Sequence, residues 1–311
     1  MVTLSRVANH VYWMARYLER AENTARLISV NSALILDLPR EARPDWMSLV
    51  DITSSEATFK SVPDRVGTET QVIRFLISDT ANPGSIICSI RQARENARTV
   101  RDIIPREAWE RINHSYLDSQ KSLKASLRPV HRSEALNRVT LAVQEIFGIL
   151  SGGMSHDEVY AFMRLGQHIE RADMITRIID VWCQDMPEEK QERLKPFENI
   201  LWMSVLKSLT AYQMYRRNVH SQVRRDLVVN FLLSDRQFPR SVRHCLLAVE
   251  ACLQNLPACS PAVADLAELL EQLDDFDATA VSLRQLHQLI DQLQLGLNRM
   301  DAAISQTFFG D

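Results

Sequence analysis

Apolar residues recur at steps of three and four along almost the whole chain, the period of helices with one face turned inward. The first run is the clearest: Val7, Val11, Met14, Leu18, Ala21, Ala25 and Ile28 share one face of a helix expected over about 2–36. Asp37-Leu38-Pro39 ends it, and Arg43-Pro44-Asp45 opens the next element. Further helices are expected over 46–59, 69–76, 83–104, 106–120 and 133–150. Asn82 reads as the N-cap of the third of these, with Pro83 at its first position. Ser151-Gly152-Gly153-Met154-Ser155 reads as a joint. After it, helices are expected over 157–183, 197–216, 224–233, 239–255, 261–273 and 279–308. No stretch joins period-two alternation to turn signals, so no sheet is expected.

The polar residues carry a second signal, because they interrupt the apolar faces in the same way twice. Glu19-Arg20-Ala21-Glu22, with Arg26 beyond it, matches Glu170-Arg171-Ala172-Asp173, with Arg177 beyond it, at an offset of 151. At offset 156, Trp46-Met47-Ser48-Leu49 matches Trp202-Met203-Ser204-Val205, and Phe59 falls on Tyr215. Phe75-Leu76-Ile77-Ser78-Asp79 matches Phe231-Leu232-Leu233-Ser234-Asp235. Pro83, Ser85 and Ile86 fall on Pro239, Ser241 and Val242. Matched blocks in the same order mean an internal duplication. The expected architecture is a single all-α domain over 1–311. It is a helical bundle made of two homologous halves, about 1–152 and 153–311, related by pseudo-twofold symmetry. Trp46, Leu201 and Trp202 are expected in its core.

On a helix, positions i, i+3, i+4 and i+7 share a face. Arg16, Glu19, Asn23 and Arg26 therefore line up with Glu22 beside them, and Gln167, Glu170 and Arg177 with Asp173 beside them. Two readings stand open: a polar site built from both halves, or a pair of structural ion-pair networks, whose net stabilisation is small at a surface and uncertain when buried. A second stripe, Arg91, Arg94, Arg98 and Arg101 with Glu95 and Asn96 interleaved, has no counterpart in the second half, where Arg91, Glu95 and Arg98 align with Leu247, Ala251 and Gln254. It suits a carboxylate, a phosphate or an acidic partner surface, or equally a solvated face.

Composition narrows this further. The formal net charge of −3 gives no electrostatic case for nucleic acid. No apolar run approaches the roughly 20 residues that span a bilayer, and the start lacks a secretory signal, so a cytoplasmic protein is expected. The five Cys show no metal or redox spacing. Cys245, Cys252 and Cys259 recur every seven residues, and buried core is their expected role. There is no G-x-x-x-x-G-K-[ST], no G-x-G-x-x-G, no H-E-x-x-H and no Glu-x-x-His pair. No phosphate loop, zinc site or di-metal bundle is expected. The scattered His residues fit structural roles.

The stretch Leu4-Ser5-Arg6-Val7-Ala8-Asn9-His10-Val11-Tyr12-Trp13-Met14-Ala15-Arg16-Tyr17-Leu18-Glu19-Arg20-Ala21-Glu22-Asn23-Thr24-Ala25-Arg26 resembles the opening of the bacterial alpha-E domain proteins. Ala93-Arg94-Glu95-Asn96-Ala97-Arg98, then Glu107, Trp109 and Asn113, and the block from Phe162 to Arg177 with Gly166 extend the resemblance over nearly the whole chain. His10 and Ala15 depart from the usual residues there without touching the acid/Arg stripe.

The resemblance implies an all-helical protein encoded beside, or fused to, a circularly permuted ATP-grasp protein. Transglutaminase-like peptidases and a proteasome-like protease are common neighbours. It suggests an accessory or substrate-binding subunit of a two-component ATP-dependent peptide or amide ligase. ATP and Mg would be held by the ATP-grasp partner, with no cofactor or metal on this chain alone and an amino acid or peptide as substrate. The residues at stake are Glu19 and Glu170 as candidate catalytic carboxylates. Arg16, Arg20, Glu22, Asn23, Arg26, Arg94, Glu95, Asn96, Arg98, Arg171, Asp173 and Arg177 are the candidate substrate-binding groups. The alternatives are a self-sufficient enzyme using the Glu/Arg stripe, and a structural interaction scaffold. A general base needs a carboxyl raised towards working pH, which nearby arginines oppose; binding is therefore favoured over base catalysis.

Overall fold

The computed structural model describes residues 5–125, 127–183, 194–220, 222–274 and 276–310. Among them there are fourteen α-helices and no strand. In the first half these are α1 (Ser5–Asp37), α2 (Met47–Ile52), α3 (Glu56–Lys60), α4 (Glu69–Ile77), α5 (Ile86–Thr99), α6 (Arg106–Ala125) and α7 (Pro129–Gly153). In the second they are α8 (Glu158–Cys183), α9 (Glu198–Ser208), α10 (Tyr212–Val219), α11 (Arg225–Ser234), α12 (Val242–Leu253), α13 (Ser260–Asp274) and α14 (Leu283–Phe308). The chain is an all-α bundle, as its periodicity predicts.

The most extensive helix–helix packing is between α1 and α8, the helices that carry the duplicated stripe. Around them the neighbours correspond: α5 lies on α1 and α12 on α8. The short helices cross over, α2 to α8 and α9 to α1. One buried apolar cluster takes Val11, Ile28, Phe75 and Ile146 from the first half and Ile169, Trp202, Val249 and Ile304 from the second. Leu201 joins a smaller cluster with Leu34, Leu38 and Ala42. All five cysteines are buried free thiols. Burial pushes the Cys245 thiol up to about 12.

Several boundaries differ from the expected ones. The expected helix over 46–59 is two, α2 and α3, and the one over 197–216 is α9 and α10. Both breaks are made by a residue in the left-handed region at equivalent places, Ser54 at φ 48° and Thr210 at φ 51°. Neither Ser nor Thr announces that conformation, which is the province of Gly and Asn. Asn82 is not an N-cap. Its side chain accepts from Gly84 N at 2.9 Å and donates to Phe75 O at 3.1 Å, stabilising a turn. The cap is Ser85, and Ser241 caps α12 in the same way. The expected joint at 151–155 is partly helical, because α7 runs on through Gly153. Trp46 is half-buried rather than core, sitting ahead of the first turn of α2.

Candidate functional site

The site begins with a helix crossing. Gly166 on α8 lies so close to α1 that a Cβ there would stand 2.2 Å from Tyr12 O. Only a residue without a side chain fits that approach. One helical turn beyond each contact residue come Arg16 and Glu170, which therefore face each other. Arg16 Nε donates to Glu170 Oε2 at 2.9 Å. Arg20 grips the same carboxylate with Nε on Oε1 at 2.6 Å and Nη2 on Oε2 at 2.9 Å. The reciprocal pair is also made: Arg171 Nε and Nη2 donate to the two oxygens of Glu19, each at 2.8 Å. Each Glu-Arg step thus exchanges a carboxylate and a guanidinium with its counterpart on the other helix.

Each half then adds an acid one turn further on. Arg26 donates to Glu22 at 2.7 Å, and Arg177 to Asp173 at 2.8 Å. Beside Glu22 the second half inserts Arg240. Its Nη1 donates to Glu19 at 3.1 Å and Asn23 at 3.0 Å, and its Nη2 to Glu22 at 2.9 Å. On the other flank Arg16 Nη1 donates to Asp301 of α14 at 2.7 Å, the Tyr12 hydroxyl donates to Asp301, and the Arg16 guanidinium lies 4.8 Å from the Trp13 ring centre.

These groups are buried: Glu19 is 0% exposed, Glu22 1% and Glu170 2%. Burial alone would raise the Glu19 carboxyl, but the charges of Arg171 and Arg240 and the hydrogen bonds it accepts bring it down to about 2. Glu170 feels the same opposition of burial against Arg20 and Arg16 and also falls to about 2. Carboxylates held this low are poor proton acceptors at neutral pH. They serve to fix guanidinium groups. Asp173 differs: burial dominates and holds its carboxyl above the usual range despite Arg177.

Of the residues singled out from the sequence, Arg16, Glu19, Arg20, Glu22, Asn23, Arg26, Glu170, Arg171, Asp173 and Arg177 come together here. Arg94, Glu95, Asn96 and Arg98 form a separate cluster where α5 meets α6. There Arg94 Nε donates to Asn113 at 2.8 Å and its Nη1 to Glu95 at 2.6 Å, and it lies 4.9 Å from the Tyr116 ring centre. Arg98 closes on Glu95 at 3.0 Å, and Asn96 meets His10 at 2.7 Å. Among the described residues, no hydrogen bond joins this cluster to the central network.

The sequence stripe did not include Arg240, Asp301 and Tyr12. Arg240 stands between Pro239 and Ser241, both matched by the repeat, at the place where the first half has Gly84. That mismatch was its only signal. Asp301 and Tyr12 lie on helices whose pattern is otherwise ordinary.

A cavity of about 330 Å³ opens beside the network, on the Glu170 side. Its walls include Arg20, Thr24, Gly84, Glu170, Asp173 and Arg177. About three turns further along α8, Asp180 with His287 and Asp291 of α14 holds one donor atom each within 4.8 Å of the others, partly open to solvent. This is the one cluster of metal-ligand type among the described residues.

An all-helical bundle with two facing Glu-Arg steps at its centre defines a class of domain. The chain belongs to the Alpha-E family, described as "a predicted alpha-helical domain with a conserved ER motif", whose model matches residues 3–309. Uncharacterised proteins of Mycobacterium bovis and Mycobacterium tuberculosis are 25% identical to it over 279 residues. The match covers 83% of this chain and 30% of each relative, so the chain spans about a third of their length. No solved structure matches it. No helix among the described residues is long and apolar enough to cross a membrane.

Proposed function

We propose that this chain is the substrate-holding subunit of a two-component ATP-dependent peptide or amide ligase of the bacterial cytoplasm. A circularly permuted ATP-grasp partner would bind ATP and Mg and activate a carboxylate. The alpha-E chain would hold an amino acid or peptide for it, within a system that includes a transglutaminase-like peptidase and a proteasome-like protease. The observation that carries this reading is the pairing of a preorganised charged network with an adjoining polar cavity, in a chain without a phosphate loop. Such a site can bind and orient a charged substrate but has no evident means of activating one. The depressed carboxyls favour this over a self-sufficient enzyme using Glu19 and Glu170 as bases. The mycobacterial relatives extend far beyond the matched region, which suits a domain that works joined to others.

The test is co-purification with the neighbouring ATP-grasp protein, followed by ADP release measured across single amino acids and short peptides. Turnover that needs both chains is the expected result. Absence of a complex together with unchanged turnover overturns the reading. A scaffold role is the second reading. It is favoured by the exposed guanidinium groups of Arg91, Arg98 and Arg101 on one side of α5 and the turn after it.

A further inference from the structure

The duplicated sequence places an occupant in one half and a hole in the other. Glu19 and Glu22 correspond to Glu170 and Asp173, and Arg240, between Pro239 and Ser241, corresponds to Gly84, between Pro83 and Ser85. In the second half the Arg240 side chain reaches the first-half carboxylates and spans Glu19 and Glu22. Gly84 sends nothing back towards Glu170 and Asp173, and the 330 Å³ cavity lies there, with Gly84 on its wall.

The hydrogen-bond inventory points the same way. Glu22 is held by two guanidinium groups, those of Arg26 and Arg240, whereas among the described residues Asp173 is held by Arg177 alone. Among the described residues, Asp173 Oδ1 is buried without a hydrogen-bond partner, and so is Thr24 Oγ1, on a residue only 1% exposed. Both residues line the cavity. An ionised Asp173 oxygen only accepts and a hydroxyl can accept, so together they ask for a group rich in N–H donors. Leaving such atoms buried and unpaired is costly, which makes the position a receptive one for a donor. Arg20 and Arg177 on the same walls are each committed to a carboxylate, Glu170 and Asp173 respectively.

We propose that this cavity binds an organic cation, the guanidinium or primary ammonium end of a basic amino acid or peptide side chain, seated on Asp173 and Thr24 where the other half seats Arg240. This names the ligand class for the site assigned above to substrate holding. Its test needs neither the partner nor ATP, so the two readings can fail separately. Cation binding without ligase turnover would leave the pocket standing and remove the ligase; partner-dependent turnover without cation binding would do the reverse.

The experiment is calorimetric titration of the full chain with Nα-acetylargininamide, Nα-acetyllysinamide, uncharged Nα-acetylnorleucinamide and inorganic phosphate. Saturable 1:1 binding of the acetylated argininamide or lysinamide, with none of the acetylated norleucinamide, is expected; comparing the two cations distinguishes guanidinium from ammonium. Gly84→Arg supplies the missing guanidinium from the chain itself and is expected to abolish binding. A Cβ at Gly84 meets nothing closer than Asn82 Oδ1 at 3.4 Å, so the backbone accepts the change. Asp173→Asn keeps the shape, removes the charge and should weaken binding roughly tenfold or more. Absence of binding by both cations overturns the proposal, as does binding undiminished in Asp173→Asn, or binding of phosphate in their place. Should Gly84→Arg fail to fold, Asp173→Asn alone decides.

Discussion

Glu170→Gln tests whether the central network is held by charge. The substitution keeps the side chain's length and one carbonyl oxygen. It puts an amide NH2 where an oxygen now accepts from Arg16 Nε and Arg20 Nη2, both at 2.9 Å. Two guanidinium groups would then face a donor inside the protein, with Arg16 only 8% exposed. Lowering a carboxyl from its ordinary 4.5 to about 2 corresponds to about 3 kcal/mol of preference for the ionised form. Removing one partner of a buried pair costs roughly 3–5 kcal/mol by general experience, so the two routes agree. The sign with pH follows. The fold lowers this carboxyl, so its contribution is complete above the ordinary value and drains away as pH falls from about 4.5 towards 2. Urea denaturation at pH 7 should show the variant less stable by about 3 kcal/mol, and the gap should shrink as the pH is taken below 4.5. A loss below about 1 kcal/mol at pH 7, or a gap independent of acid, would refute the claim that charge holds this crossing.

The other expectations follow from the same geometry. Gly166→Ala must push α8 off Tyr12 O and should cost about 2 kcal/mol or more, whereas Gly148→Ala, a helical position with open space around it, should gain about 0.5–1 kcal/mol; melting curves of the two variants compare them directly. Arg240→Leu strips donors from Glu19, Glu22 and Asn23 at once and should destabilise by roughly 3–5 kcal/mol in urea. Asp173→Asn should stay within about 1 kcal/mol of the parent at pH 7. The fold favours the protonated form of this raised carboxyl, so the stability tied to it falls as pH rises, and a loss as large as that of Glu170→Gln would contradict this. Charge reversal of exposed Arg91 and Arg101 together should change stability by less than about 0.5 kcal/mol. A pull-down with the ATP-grasp protein that the double variant abolishes would locate the docking face on α5, and the scaffold reading further expects Glu19 and Glu170 changes to affect only stability.

The helices and the duplicated stripe were legible because both are periodic. Burial obeys the 3.6-residue step, and the Glu-Arg copies share a face at a constant offset. The helix breaks at Ser54 and Thr210 were hidden because a left-handed residue that is neither Gly nor Asn leaves no local mark. Asp301 was hidden for another reason. Its meeting with Arg16 depends on how α14 packs against α1 and α8, and helical spacing in α14 carries no trace of that packing. Arg94 and Arg98 looked like part of the same system because they share the residue types. Their partners Asn113 and Glu95 keep them on the α5–α6 side.

Arg240 shows where comparing repeats succeeds and where it misleads. Both halves kept the Glu-Arg steps, the serine caps and the two left-handed breaks, and matching the copies along the sequence revealed the first of these. Those shared features build the crossing, and none of them distinguishes one side of it from the other. The chemistry that could discriminate a ligand lies where the copies differ, at Gly84 against Arg240 and at Arg16 against Gln167. At the first-half carboxylates Glu19 and Glu22 the chain supplies its own Arg240. At the second-half carboxylates it adds Arg16 to Glu170 yet, among the described residues, leaves an oxygen of Asp173 unpaired beside a cavity. A network kept only for stability would gain from filling both sides alike, since an unpaired buried acceptor costs about 1–3 kcal/mol. The half that leaves Asp173 unpaired is therefore the half to probe with a ligand, and the other serves as its built-in control.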